Sequence, residues 1–266
     1  MIVDLHTHTA CSFDCDVPLE TMCESAVQKG VEILASTDHC DLTADSIDEE
    51  ILFSADRSLR CAEAAQSEFS GRLRIIKGIE LGQPMHNREL AEKVISNECL
   101  DFTLCSVHDL RGNLDFYYLD YTKEDVKSLL TAYFEEILET VRWNGFDSLA
   151  HLTYPLRYIE GDYGIKINLD EYSSQIDEIL STLAKNKKAL EINTSGLGKK
   201  LNNTMPPESI VKRFRKLGGE YVTLGSDSHV PETIGFGIKE GLSLAKRCGF
   251  NEVTYFEKHI PVKIGI

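Results

Sequence analysis

The sequence of 266 residues has eight cysteines, at 11, 15, 23, 40, 61, 99, 105 and 248, but no CxxC pair. That absence argues against a zinc ribbon or a thioredoxin-like redox site, and scattered thiols in a reducing compartment read as core residues. Nowhere does an apolar run approach the ~20 residues that a membrane span needs. The first residues lack the basic region and apolar segment of a secretory signal and begin on a strand-like run, so a cytoplasmic protein without a membrane partner is expected. Repeats, low-complexity tracts and Pro/Ser-rich linkers are missing, which favours one domain over residues 1–266. Positive charge is scarce: 28 Lys and Arg face 43 Asp and Glu, a net charge of -15. Such a surface repels nucleic acid and anionic membranes. It also repels a phosphorylated ligand, unless something locally positive sits in the binding site.

What is present is an alternation of β-rich runs and helical patterns. Strands are predicted at residues 2–5, 31–36, 73–79, 102–107, 148–150, 189–193 and 221–225. The clearest helix follows Thr122, where Val126, Leu129, Leu130, Tyr133, Phe134, Ile137, Leu138 and Val141 form one apolar stripe. Thr122 with Asp125 resembles a capping pair, and Gly145 suits the helix stop. Seven strand-then-helix units argue for a mostly parallel sheet covered by helices, either open or closed as a barrel.

The histidines bear on that choice. Strand one leads to His6 and His8, with Asp14 soon after; strand two runs into Asp38 and His39; strand three carries Glu80. Strands four, five and seven run into His108, His151, and Asp227 with His229. Six of the eight histidines thus fall at carboxyl ends of predicted strands; His86 is expected on a polar loop and His259 in a solvated tail. Alternate residues of an extended segment point the same way, so His6-x-His8 and Asp227-x-His229 can each present two ligands together. An open sheet would hold strands one and seven far apart, whereas a closed parallel barrel brings every strand's carboxyl end to one face. The spacing therefore favours a barrel with a metal site at its rim. Cys40 and Cys105 lie near these residues in sequence and are expected as core thiols.

The segments "DLHTHTACSFD", "TDH", Glu80, "SVHD", "AHL" and "GSDSH" resemble the PHP (polymerase and histidinol phosphatase) superfamily of metal-dependent phosphoesterases. Within it, "HLTYPLRY", "EINTSGLGKK" and "YFEKHIPVKI" resemble the stand-alone histidinol-phosphate phosphatase family. The resemblance implies a distorted (β/α)7, TIM-like barrel and up to three divalent ions, Zn, Mn or Fe. It implies that His6, His8, Glu80 and Asp227 bind the first ion, that Glu80, His108 and His151 bind the second, and that Asp14, His39 and His229 bind the third. Some relatives have histidine where this chain has Asp14.

The implied reaction is hydrolysis of L-histidinol phosphate to L-histidinol and phosphate in histidine biosynthesis, with a hydroxide shared between metal ions as nucleophile. Three divalent ions on six neutral imidazoles and three carboxylates would leave a locally positive site in an acidic chain, which removes the obstacle to a phosphorylated metabolite. Arg157, on the loop after strand five, is the best candidate to fork two phosphoryl oxygens. Arg111 and Lys199, or its neighbour Lys200, are further substrate-binding candidates on loops after strands. Asp227 and His229 join Arg157 as candidate catalytic residues, although groups that bind metal are poor proton carriers. Asp38 either orients a ligand or caps a loop. Two rival readings remain: the same chemistry on another ester, such as a nucleotide, DNA end or phosphotyrosine, or a non-catalytic metal-binding barrel.

Overall fold

The computed structural model describes residues 1–43 and 46–266. Seven strands lie in one parallel sheet in chain order: β1 (Val3–Asp4), β2 (Ile33–Asp41), β3 (Arg74–Gly82), β4 (Phe102–Ser106), β5 (Ser148–Leu149), β6 (Ala189–Asn193) and β7 (Val222–Gly225). A helix follows each: α1 (Leu19–Gln28), α2 (Asp48–Glu68), α3 (Arg88–Ile95), α4 (Val126–Trp143), α5 (Ser173–Lys185), α6 (Glu208–Lys216) and α7 (Ile238–Arg247). The first and last strands meet through backbone bonds. Leu5 N–H donates to Leu224 O at 2.8 Å, Asp227 N–H to His6 O at 2.9 Å and His8 N–H to Ser228 O at 2.9 Å. The sheet is therefore a closed, short-stranded barrel, as the distribution of histidines requires.

β2 and β3 run further than the sequence pattern suggests. They stay paired through His39↔Glu80 to Asp41↔Gly82, so His39 and Glu80 are fixed by sheet register, not carried on loops. α4 buries the expected stripe, including Leu130, Phe134, Ile137 and Val141; full burial of such side chains stabilises by about 1.5–3 kcal/mol each. Its ends differ from expectation. Asp125 alone caps the start, accepting from Ser128 N at 3.3 Å, while Thr122 Oγ1 donates to Asp120 Oδ1 at 2.6 Å. Asn144, in the left-handed region at φ 68°, ends the helix one residue before Gly145, where a short polar side chain tolerates that conformation.

The closing segment is no solvated tail. β8 (Glu252–Glu257) and β9 (Ile260–Gly265) form an antiparallel hairpin across the amino-terminal end of the barrel. Phe256 stacks on Phe102, and Arg74 Nη1 donates to Tyr255 Oη at 2.7 Å. His259, at the hairpin turn, is exposed, with Nδ1 2.7 Å from Asp147 Oδ2. His86 also departs from expectation: it ends a 3₁₀ turn, Pro84–His86, and its ring is buried between Asp109 (3.5 Å) and Glu136 (3.6 Å). No described helix is long and apolar enough to cross a membrane.

Candidate metal centre

At the carboxyl end of the barrel, side chains from five other strand ends, together with Asp14, gather around Glu80. This glutamate is fully buried and divides its oxygens. Oε1 lies 2.9 Å from His151 Nε2 and 3.2 Å from His108 Nε2. Oε2 lies 3.2 Å from His6 Nε2, 3.6 Å from His8 Nε2 and 3.1 Å from His39 Nδ1. Asp227 adds a second carboxylate, with Oδ1 3.7 Å from His6 Nε2 and 3.5 Å from His8 Nε2. Its backbone is held at φ 56°, a strained conformation for a residue with a side chain, and its N–H bonds back to His6 O. Towards solvent, Asp14 Oδ2 lies 3.1 Å from His229 Nε2 and 3.5 Å from His39 Nε2.

Behind this first layer, acceptors fix the rings. His6 Nδ1 faces Glu191 Oε1 at 2.8 Å, His8 Nδ1 faces Ser12 Oγ at 3.2 Å, and His108 Nδ1 faces Asp41 Oδ2 at 3.2 Å. With a proton on each Nδ1, each Nε2 presents its lone pair to the centre, the arrangement that metal-binding imidazoles need. His6 Nε2, His8 Nε2, His39 Nδ1, Glu80 Oε2 and Asp41 Oδ1 are buried without a hydrogen-bond partner. Unpartnered buried groups are costly, and here they all face one small volume. Ligand atoms of three sets come within 4.8 Å of one another: His8, Asp14, His39 and His229; His6, His8 and Glu80; His39, Glu80 and His108. The donor set fits divalent ions that take mixed imidazole and carboxylate ligands.

A family profile described as "PHP domain" matches residues 4–195. The chain belongs to the PHP domain family. Among curated relatives, a probable histidinol-phosphatase of Clostridium acetobutylicum is 33% identical across 98% of both chains. The histidinol-phosphatase of Lactococcus lactis is 29% identical, covering 96% of this chain and 94% of that one. Among solved structures, the Lactococcus lactis histidinol phosphate phosphatase, in complex with Zn, L-histidinol and phosphate, superimposes with a TM-score of 0.83 at 25% identity, covering 98% of this chain and 99% of that one. A putative histidinol phosphatase from Listeria monocytogenes shares the fold, with a TM-score of 0.75 at 18% identity over 90% and 99% of the two chains.

In this PHP domain all nine ligand candidates read from the sequence come together. His39 lies between groups, one nitrogen towards Glu80 and the other towards Asp14. Two carboxylates were missed. Asp41 faces both His39 and His108, and Glu191 stands behind His6. The signal for Glu191 was a lone charge inside the apolar run "ALEIN", much as Glu80 interrupts "KGIEL". Asp38 is an anchor, not a ligand. It accepts from Thr9 N at 2.6 Å, Ser12 Oγ at 3.0 Å and Ser58 Oγ at 2.5 Å, and through Ser12 it sets His8. Cys40 and Cys105 are buried thiols outside these clusters, and burial pushes Cys40 up to about 12.

The metal-free cluster balances its charges with protons. Burial pushes His6, His39 and His108 towards the neutral form, yet the carboxylates of Glu80, Glu191, Asp227 and Asp41 outweigh it, and His108 rises to about 10. Burial would also raise Glu80, but the charges of His6, His108 and His39 hold it well below the ordinary range. His8, buried and flanked by His229 and His39, falls to about 3. Carboxylates this close together demand positive charge, and a bound cation supplies it in place of those protons.

The centre forms the floor of a cavity of about 1220 Å³. Arg157 opens a π-helical turn, Arg157–Asp162. Its Nη2 donates to Asp227 Oδ2 at 2.8 Å and also to Ser195 Oγ. Lys199 lines the same cavity. Lys200 pairs with Asp162 at 3.6 Å instead. Arg111 does not line this cavity; it is exposed and donates to Met85 O. Asp115, Tyr117, Tyr118, Tyr154 and Tyr158 line the same cavity, with the Arg157 guanidinium 5.4 Å from the centre of the Tyr154 ring.

Proposed function

We propose that this chain is a metal-dependent phosphatase that hydrolyses L-histidinol phosphate to L-histidinol and phosphate. The observation that carries this reading is the divided carboxylate of Glu80, one oxygen towards His108 and His151 and the other towards His6, His8 and His39. The names of the full-length relatives and the ligands in the Lactococcus lactis structure supply the substrate.

His6, His8, Asp14, His39, Glu80, His108, His151, Asp227 and His229 would hold the divalent ions. Such ions, when bound, supply positive charge for the phosphoryl oxygens and acidify water enough to attack phosphorus near neutral pH. The protein's own groups do the rest. Glu80 fixes the spacing between imidazole pairs by register with β2 and β4. Arg157, always charged, meets the phosphoryl group with the guanidinium nitrogens that Asp227 leaves free, and Lys199 adds charge at the rim. These groups position an ester for in-line displacement, where placement and charge stabilisation provide most of the acceleration.

The substrate also carries an ammonium one carbon from its phosphorylated oxymethylene, and an imidazole. Asp115 accepts from Tyr117 N at 2.6 Å and, among the described residues, has no cationic partner. It gives the cavity lining a negative charge for that ammonium, and exposed Tyr117 and Tyr118 offer ring faces for the imidazole. The test is released phosphate from a panel of monoesters. L-histidinol phosphate is expected to lead by more than about tenfold in kcat/KM, since a buried charge-assisted contact is worth that much. Equal turnover across nucleotides, phosphotyrosine and aryl phosphates would replace this substrate, and no turnover of any ester would leave a metal-binding barrel without catalysis.

A further inference from the structure

We infer that Glu191 is a positioning residue of the metal centre, holding the His6 ring with its proton on Nδ1 and its Nε2 lone pair aimed at the ions. The inference rests on the metal-binding reading above and assigns a role to a side chain that touches neither substrate nor reacting atoms.

Glu191 lies mid-strand in β6, and neither it nor His6 has any exposed surface. A carboxylate buried this deeply needs donors on both oxygens. Oε1 lies 2.8 Å from His6 Nδ1, while Oε2 receives His151 N–H at 2.7 Å and Asn193 Nδ2–H at 3.2 Å. The carboxylate has no exposed surface and is absent from the cavity wall. The neighbouring His6 Nε2 has no hydrogen-bond partner and faces Glu80 and Asp227. A proton on Nε2 would leave Nδ1 pointing a lone pair at a carboxylate and Nε2 pointing N–H into the centre. Both contacts are repulsive to a bound cation or to Glu191, so the geometry selects one tautomer.

Two further features fit this role. Gly225 in β7 stands where any Cβ would collide with both Glu191 Oε1 and the Cβ of His6, so the bare backbone there makes room for the contact. Glu191 also ties together ligands from distant strands, since the backbone of His151 and the ring of His6 share the one carboxylate. Asn193 extends the same network: its Oδ1 accepts from Ser195 Oγ at 2.6 Å, and Ser195 Oγ lies 3.3 Å from Asp227 Oδ2. A glutamine at 191 keeps the shape but cannot accept on both sides. Its amide must either lose the His151 N–H bond or donate to His6 Nδ1, which moves the proton to Nε2.

The experiment measures zinc affinity of full-length wild type and Glu191→Gln by competition with a chromophoric chelator at fixed pH. Circular dichroism reports whether the fold is kept. The variant is expected to bind zinc about 10–100-fold more weakly, the usual cost of losing an outer partner of a ligating histidine. Affinity within twofold of wild type would overturn the inference alone, whereas wild type that binds no zinc would take the metal reading down with it. A second measurement does not depend on the variant folding. In ¹⁵N spectra of zinc-loaded wild type, the His6 ring is expected with a protonated Nδ1 and a bare Nε2. A protonated Nε2 overturns the proposal, because a strut between strands would not care which nitrogen carries the proton.

Discussion

Arg157 Nη2 lies 2.8 Å from Asp227 Oδ2, while the other oxygen of the same aspartate faces His6 and His8. One carboxylate thus joins the guanidinium to the imidazole cluster and holds it over the cavity floor. Lysine at 157 could keep the pair with Asp227 or reach the phosphoryl group, but could not do both with a planar fork. Arg157→Lys is expected to lower kcat/KM for the phosphate ester by more than about tenfold while zinc content stays the same. A steady-state assay with metal analysis on the same samples checks this, and wild-type kinetics in the variant would take Arg157 out of the mechanism.

Chelation should abolish phosphate release, and added zinc, manganese or iron should restore it. Stability should move as well, because the buried lone pairs of His6, His8 and Glu80 lose their ligand. At a free metal concentration of 100 times Kd, the linkage amounts to about 2.7 kcal/mol. Differential scanning fluorimetry with and without a strong chelator reads this out. An apo protein with the same melting temperature and full turnover would contradict the metal role.

The negative wall predicts a change in selectivity. Asp115→Asn should reduce kcat/KM for L-histidinol phosphate by about 10–100-fold, the worth of a charge-assisted bond. The rate with p-nitrophenyl phosphate, which has no ammonium, should barely change. Parallel losses on both esters would assign Asp115 to the folding of its loop.

How much of this could be read before the fold was known differs from residue to residue. His6, His8, His39, His108, His151 and His229 were legible jointly, because six of the eight histidines fall at carboxyl ends of predicted strands, whereas a lone one there is usually a hydrogen-bonded core or rim residue. Glu80 was legible alongside them. Asp41 and Glu191 were not: a single acid near a strand is usually solvated, and only closure of the barrel shows which acids point inward. Arg111 and Lys199 looked alike in sequence, since both sit on loops after strands. Loop geometry then sent one to Met85 O and the other to the cavity. The β8–β9 hairpin was missed because it pairs only with itself and adds no unit to the alternation that revealed the barrel.

That hairpin gives a pH prediction away from the centre. The hydrogen bond to Asp147 is the main influence raising the His259 pKa above its ordinary value. A group whose folded pKa is raised stabilises fully below its unfolded pKa, about 6.5, and loses that contribution as pH climbs through the folded value. The melting-temperature gap between wild type and His259→Ala should therefore be widest near pH 5.5 and shrink on going to pH 9. Thermal melts across that range, with zinc held saturating, test it. A gap that widens with pH would reverse the sign and discard the ion pair.

The backbone bonds between the first strand and the last have a consequence for biosynthesis. Leu5, His6 and His8 pair with Leu224, Asp227 and Ser228, which leave the ribosome more than two hundred residues after them. The ring cannot shut, nor Asp227 reach the two histidines, until β7 has been made. Nascent fragments lacking the last strand would hold His6 and His8 beside an unpaired sheet edge, a loop closure of the longest and slowest kind. Assembly of the pocket thereby waits on synthesis of the seventh barrel strand.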